Sequence, residues 1–272
     1  MIKKLMKDKI ALITLLIILL TMILGIFADI IAPNDPIATS IINKYAQRSQ
    51  AFPLGTDHLG RCILSRLIYG IRPTLFLSMF TMLCTIALGT SIGAIAGYAR
   101  GMVDEVMMRI VDIMLSFPSQ VMILAVVGMM GVGIRNVIIA SIAIKWAWYA
   151  RMIRSSVIQY NNKNYILYSK TIGTSKSFIV FRHMLLNILS EIIVLATLDM
   201  GWVILSISTL SFLGLGVQAP TPEWGGMLSE AKNVITSRPT QMLAPGIAIL
   251  VIVASFNMLG DSLRDVLDTK EG

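Results

Sequence analysis

Six long apolar stretches set the pattern of this chain: residues 10–31, 75–99, 106–130, 137–153, 188–213 and 243–260. A helix needs roughly 20 residues to cross a bilayer, within a range of about 17 to 25. Residues 106–130 and 188–213 run slightly long, which predicts tilting or extension past the bilayer. Backbone in lipid must satisfy its own hydrogen bonds, so these stretches predict helices. Their length argues against a β-barrel. The expected fold class is an all-α integral membrane protein with six transmembrane helices.

One interruption stands out. Residues 159–187 are polar, basic and helix-prone, with Ser169-Lys170-Thr171-Ile172-Gly173 followed by Phe181-Arg182-His183. The helical tendency from Tyr165 to Phe178 is broken at Gly173. A charged segment of this kind, between two apolar runs, is where something outside the membrane can grip the chain.

Charge placement suggests a topology. Lys3, Lys4, Lys7 and Lys9 precede the first run and resemble the basic region of a signal peptide. The apolar core is too long for one, and no small-x-small cleavage site precedes Asp29, so an uncleaved anchor is expected. Lysine and arginine gather on the cytoplasmic side. The N-terminal lysines therefore predict a cytoplasmic tail at 1–9, an anchor helix at 10–31 and an external segment at 32–74. A membrane domain at 75–260 and a cytoplasmic tail at 261–272 follow, with Arg100, the 159–187 loop, Arg264 and Lys270 inside. The loop carries Lys163, Lys170, Lys176 and Arg182 without an acid, and Arg151 and Arg154 flank it. The external segment is also basic, through Lys44, Arg48, Arg61, Arg66 and Arg72; longer exported segments tolerate such charge. No sequence repeat or disordered linker is visible.

Composition agrees with a membrane protein. The chain is 56% hydrophobic and 14% charged, with a mean hydropathy of +0.76. A soluble domain cannot hide that much apolar surface. The net charge of +8 reads as topology rather than nucleic-acid binding, because the basic residues adjoin the apolar runs. Cys62 and Cys84 have no disulfide or metal-site spacing.

Catalytic motifs are missing. There is no Walker-type loop and no His-Glu-x-x-His helix. Gly89-Thr90-Ser91-Ile92-Gly93 matches Gly-x-Ser-x-Gly, but a nucleophile elbow needs a strand before it and a base beside it. Here it lies within an apolar run, and the two histidines, His58 and His183, lie outside all six. Small residues that let helices pack closely are the better reading. The 18 methionines are read as packing residues rather than soft-metal ligands. His58 either touches substrate or makes a local hydrogen bond, and the second is favoured.

Charges inside the runs are expensive in hydrocarbon. Lys145 either snorkels or joins an interhelical ion pair. Asp112 follows Arg109 by three residues, which predicts an intrahelical pair. Glu191 is expected to reach water. Asp199 sits mid-run with no basic residue within a turn, so it is expected to face a wet cavity, meeting a passing cation, Lys145 or a partner chain. Asp199, Lys145 and Asp112 are thus the candidate pathway residues. Residues 214–222 are rich in Gly and Pro, and 223–235 read as a short external helix; the stretch either shapes an outer mouth or is a plain connecting loop.

Several segments together resemble one family. The first is Leu54-Gly55-Thr56-Asp57-His58-Leu59-Gly60-Arg61 with Leu64-Ser65-Arg66-Leu67-Ile68-Tyr69-Gly70. The second is Ser211-Phe212-Leu213-Gly214-Leu215-Gly216 with Pro220-Thr221-Pro222-Glu223-Trp224-Gly225. The third is Asn257-x-x-Gly260-Asp261-x-Leu263-Arg264-Asp265. They are similar to the second permease of dipeptide, oligopeptide and nickel ABC importers, with Cys62 where that family has Asp. The 159–187 loop resembles the family's Glu-Ala-Ala-x-x-x-Gly loop. Leu167, Tyr168 and Ser169 stand in place of Glu-Ala-Ala, Gly173 stands on the glycine, and Leu186 replaces a proline.

The resemblance implies the type I importer transmembrane domain, with no catalysis and no directly bound cofactor. It implies a coupling helix carrying Leu167, Tyr168, Ser169, Lys170, Thr171, Gly173, Arg182 and His183. The implied partners are a second permease, two cytoplasmic ATPases that bind ATP and Mg, an external binding protein that docks near 214–235, and the bilayer. Thr197-Leu198-Asp199-x-Gly201 resembles the nickel branch, so nickel or its chelate is the first substrate expected and a peptide the second. An ATP-independent secondary transporter or channel is the alternative class.

Overall fold

A computed structural model describes residues 8–268. Lys3, Lys4, Lys7 and Lys270, on which the tail assignments partly rest, lie outside that range. Among the described residues the regular structure is helical, residues 32–62 form an irregular segment, and one isolated β-bridge joins Thr56 and Cys62. In order, the helices are α1 (Lys9–Ile26), α2 (Ala28–Ile31), α3 (Ile63–Ile71), α4 (Leu77–Ala99), α5 (Gly101–Leu115), α6 (Ser119–Met130) and α7 (Ile134–Asn161). Then come α8 (Asn164–Thr171), α9 (Lys176–Phe178), α10 (Leu186–Phe212), α11 (Trp224–Ala231) and α12 (Thr240–Asp268). Wider π-wound turns at Arg72–Phe76 and Ile179–Leu185 join α3 to α4 and α9 to α10.

Six spans are expected, and among the described residues length and composition alone single out four or five. Four continuous helical stretches are long and apolar enough to cross: Lys9–Ile26, Ile63–Ala99, Lys176–Phe212 and Thr240–Leu267. Residues 106–130 do not form one straight helix. α5 and α6 meet at 86°, and they make a fifth crossing if taken as one bent span. The break falls at Ser116-Phe117-Pro118, where the proline ring disfavours helical backbone in the residue before it. α7 covers 137–153 and is 28 residues long, yet it is not among these candidates. Arg135, Lys145, Arg151 and Arg154 lie along it and dilute its apolar character.

The chain forms two compact units. The first comprises residues up to 80, 127–138 and 197 onward. Here α1 packs on α12 and α3, and α12 also packs on α11. Asp8 caps α1 by accepting from the Ile10 and Ala11 amides at 2.9 and 3.4 Å. Arg72 holds the other end, donating to Gly25 O at 2.8 Å and to Asp29 at 2.8 Å. The segment 32–74 closes around a charge cluster. Asp57 Oδ2 accepts from Arg61 Nε at 2.7 Å and Arg66 Nη1 at 2.5 Å. Glu230 Oε2, from α11, accepts from the same two arginines at 2.7 and 2.6 Å. Burial by itself would raise the Asp57 carboxyl, but the Arg66 charge, backbone N–H donors and Arg61 outweigh it and hold the group below the usual range. The basic segment 32–74 is therefore partly neutralised within the fold.

Glu223 anchors α11 more deeply. It is 1% exposed. Its Oε1 accepts from Thr74 Oγ1 at 3.1 Å and Ser208 Oγ at 3.2 Å, and its Oε2 accepts from the Gly226 amide at 2.8 Å. Burial pushes its carboxyl up, against the pull of those donors. Trp224 follows, donating its indole N–H to Leu67 O at 2.9 Å over Gly70.

The second unit comprises residues 81–126 and 139–196. α4 meets α7 along Gly89, Gly93 and Gly97, spaced one turn apart. A Cβ on Gly93 would stand 2.4 Å from Ala150 O, and one on Gly89 2.5 Å from Tyr149 Cβ. The Gly-x-Ser-x-Gly match is thus a helix-packing surface. Two ion pairs join α5 to α7: Arg154 grips Asp104 with both Nε and Nη2, at 2.7 and 2.6 Å, and Arg151 donates to Asp112. Ala94, Ile153, Val157, Ile166, Ile179, Met184, Ile188 and Ile192 form a core that seats α8 against α4, α7 and α10.

Two outcomes follow. Gly93→Leu forces α4 from α7 and should destabilise the protein by about 1–3 kcal/mol, read as a lowered melting temperature or a lost monodisperse peak in fluorescence-detected size-exclusion chromatography. Glu223→Ala removes a cap and should cost about 1–2 kcal/mol. Glu223→Gln should melt near the wild type, because a neutral amide can accept from Gly226 N–H and donate to the rotatable Thr74 and Ser208 hydroxyls. A glutamine variant as damaged as the alanine one would refute the neutral-compatible site.

Candidate functional site

The 159–187 segment forms a helix–glycine–helix elbow. α8 ends in a Schellman arrangement: the Thr174 amide donates to Ser169 O at 3.0 Å and the Gly173 amide to Lys170 O at 3.1 Å. This geometry places Gly173 at φ 79°, a region a side chain enters at about 1–2 kcal/mol. A Cβ at Gly173 would meet nothing within 4 Å, so conformation rather than space requires the glycine. Ser175 then caps α9, its Oγ accepting from the Phe178 amide at 3.4 Å.

The elbow has an inner and an outer face. Ile166 and Ser169 are buried, and Ser169 Oγ donates to Tyr165 O at 2.8 Å. Leu167, Tyr168 and Ile172 point outward, and Tyr168 is 67% exposed. Such a short helix with exposed apolar side chains is suited to a groove on another protein. Thr171 Oγ1 donates back to Leu167 O at 3.0 Å. Lys170 donates to Asn161 Oδ1, and its ammonium lies 5.4 Å from the centroid of the Tyr98 ring.

The return limb is braced by His183. Its ring meets Phe178 edge-on at 5.3 Å and Tyr165 at 6.3 Å. Asn187 Nδ2 donates to His183 O at 2.5 Å and to Tyr165 Oη at 3.4 Å. Burial pushes the Tyr165 hydroxyl up, against the pull of Asn187. Arg182 is exposed beside it. The structure therefore joins the two sequence motifs of this segment into one braced unit.

The candidate pathway residues lie on three helices, α5, α7 and α10. Asp112 pairs with Arg151 on α7 rather than with Arg109, which faces Glu105 at 4.0 Å. The intrahelical expectation is thus corrected: α7 carries an arginine to Asp112, and a tertiary partner replaces the neighbour three residues away. Glu191 is exposed and accepts from Ser156 Oγ at 3.0 Å. Lys145 is half-buried on α7, in the second unit. Asp199 is half-buried on α10, in the first unit. The residues flanking Asp199 meet α12. A Cβ on Gly201 would lie 2.8 Å from Asn257 Oδ1, and one on Gly260 2.6 Å from Leu198 Cδ2. The Asn257-x-x-Gly260 motif and the Thr197–Gly201 stretch are two sides of one helix crossing.

Glu230 and Glu223 were absent from the residues singled out by chemistry, although Glu223 lies within a quoted motif. A carboxylate near a Gly- and Pro-rich turn carries no sequence mark of its partners, which come from residues about 150 positions away. One ligand atom each from Asp57, His58 and Glu230 lies within 4.8 Å of the others. Both carboxylates are already occupied by Arg61 and Arg66, so this donor set does not fit a divalent cation.

Comparison with known proteins follows the same segments. Residues 89–271 match the family described as binding-protein-dependent transport system inner membrane component. Residues 1–50 match the N-terminal TM domain of oligopeptide transport permease C. The metal-staphylopine import system permease protein CntC of Staphylococcus aureus is 44% identical over 268 residues, covering 98% of this chain and 93% of that protein. The nickel transport system permease protein NikC of Escherichia coli is 40% identical over 254 residues, covering 93% and 92%. The dipeptide transport system permease protein DppC of Alkalihalophilus pseudofirmus is 40% identical over 268 residues, covering 98% and 88%. The apolar helices, the elbow and this near full-length similarity establish that the chain belongs to the inner-membrane permeases of ABC importers, with the type I transmembrane domain, in the branch that includes dipeptide and nickel permeases.

Proposed function

We propose that this chain is one of two permease subunits of an ATP-driven importer, forming half of the pathway for nickel or a nickel chelate. The observation that supports a coupling role most directly is the elbow at residues 164–178, with Gly173 in the left-handed region and Leu167, Tyr168 and Ile172 exposed. In this reading the exposed face of α8, at Leu167, Tyr168 and Ile172, seats in a groove on a cytoplasmic ATPase, and its movement reaches the membrane helices through the core around Ile166 and Ile188. ATP and Mg are bound by the two ATPases, and this subunit is non-catalytic. A second permease completes the pathway. An external binding protein delivers cargo at the face formed by 32–74 and 214–235. Both termini and the 159–187 loop are cytoplasmic, with the membrane domain at 75–260.

The metal reading draws on two relatives named for metal-staphylopine and nickel transport, and on Asp199, a carboxylate within an apolar helix that is expensive unless it has a use. Dipeptides or oligopeptides are the second reading, supported by the relative named for dipeptide transport.

Gly173→Trp places a bulky side chain in left-handed backbone at the elbow. It should reduce uptake at least tenfold while leaving the protein in the membrane; normal transport would refute the coupling role. Uptake of radioactive nickel, with and without a chelator, against labelled dipeptide should favour the metal. Asp199→Asn should lower metal uptake about tenfold with co-purification of the ATPases unchanged. Unaltered uptake would remove Asp199 from the pathway, and failure of the wild-type chain to co-purify with an ATPase would favour the secondary-transporter class.

A further inference from the structure

The second unit contains a cavity beside the elbow. It encloses about 430 Å³ between the end of α4 and the segment 176–185. Its walls are mostly apolar, formed by Ile95, Val180, Phe181 and Leu185, with Tyr98 and Lys176 also lining it. The α4 side runs from Thr90 to Ala99. Those nine residue steps, at 1.5 Å each, measure about 14 Å. A bilayer's hydrocarbon core is about 30 Å thick, so the stretch of α4 that lines the cavity is about as long as one leaflet is thick. The cavity starts where a membrane-spanning helix ends.

Cations without carboxylates gather at that end. Lys176 lines the cavity, and Lys170 stands over the Tyr98 ring at 5.4 Å. Arg100 follows α4 directly. Arg100 Nη2 donates to Asn162 Oδ1 at 2.9 Å and Lys170 donates to Asn161 Oδ1, so two neutral amides hold two positive charges. Burial, and then the Arg100 charge, pushes the Lys170 ammonium down, as expected where like charges share a site. Residues 159–187 contain no acid, and among the described residues no ion pair involves Arg100, Lys170 or Lys176. Elsewhere in this unit, Arg151 and Arg154 both have carboxylate partners.

We propose that the cavity seats one acyl chain of an anionic glycerophospholipid, whose phosphate is held by Lys176, Lys170 and Arg100. The apolar depth and the charge belong to different parts of one molecule. An acidic side chain from a protein would satisfy the cations but leave the apolar cavity unfilled. Basic pockets beside membrane helices commonly take such headgroups.

The test uses the full-length chain, extracted with whatever co-purifies and exchanged into phosphatidylcholine micelles with added dioleoyl-phosphatidylglycerol. Native mass spectrometry reads the lipid retained. Phosphatidylglycerol should be retained over phosphatidylcholine, and inorganic phosphate should not displace it. Lys176→Gln should weaken retention about fivefold, the equivalent of about 1 kcal/mol for one basic side chain at an anionic surface. Ile95→Trp, at a half-exposed wall position, fills the cavity without removing charge and should abolish retention. Equal retention by wild type and both variants overturns the proposal. So does displacement by phosphate alone, which assigns the cations to a free anion. Release of a co-purifying ATPase by Lys176→Gln with lipid retention unchanged also overturns it, since the cluster is then a protein contact. None of these outcomes depends on the identity of the transported substrate.

Discussion

α4 and α7 approach until there is no room for a side chain between them, and the second unit is arranged around that approach. A Cβ at Gly93 or Gly97 would press on a carbonyl oxygen of α7, and one at Gly89 on Tyr149 Cβ. Inside a membrane, helices gain nothing by hiding apolar surface from water, because lipid is equally apolar. Their association depends instead on van der Waals contact between closely fitted surfaces. The glycine stripe supplies that fit. It brings Ala94 beside Ile153 and Val157, and these in turn support Ile166 beneath the elbow. The helix pair thereby gives the elbow a closely fitted base.

Charge is handled in two ways. In the segment 32–74, Arg61 and Arg66 face Asp57 and Glu230 in a cluster so enclosed that removal of one partner would strand another. Buried pairs of this kind are weak sources of net stability, but they are costly to break. On α5 and α7, the pairs Asp104–Arg154 and Asp112–Arg151 are less buried and tie the two helices together. The elbow is different. Its basic residues are left without acids, which suits a surface that meets lipid headgroups or another protein.

Much of the architecture was legible in the sequence because its causes are local. A run of about twenty apolar residues has few alternatives to a membrane helix. The break at Gly173 followed from the residue's access to left-handed backbone, and the structure places it in that region at the end of α8. The Gly-x-Ser-x-Gly match read as packing because no strand or base accompanied it. Other features were misread because neighbours along the chain were taken for neighbours in space. Asp112 has Arg109 one turn away, but pairs with Arg151, 39 residues later. Pro118 was visible, yet the 86° turn it permits between α5 and α6 was not anticipated.

The sequence by itself determined the membrane class, the helical character, the polar elbow and the motifs that carry the family resemblance. All of these depend on hydrophobicity, backbone preference or short-range spacing. Only the tertiary structure decided which charges are neutralised and which remain available. It joined Glu223 to Thr74 and Glu230 to Arg66, and it left Arg100, Lys170 and Lys176 beside an apolar cavity. Ion pairing and cavity shape depend on which distant helices are brought within a few ångströms, and no local pattern of residues encodes that distance.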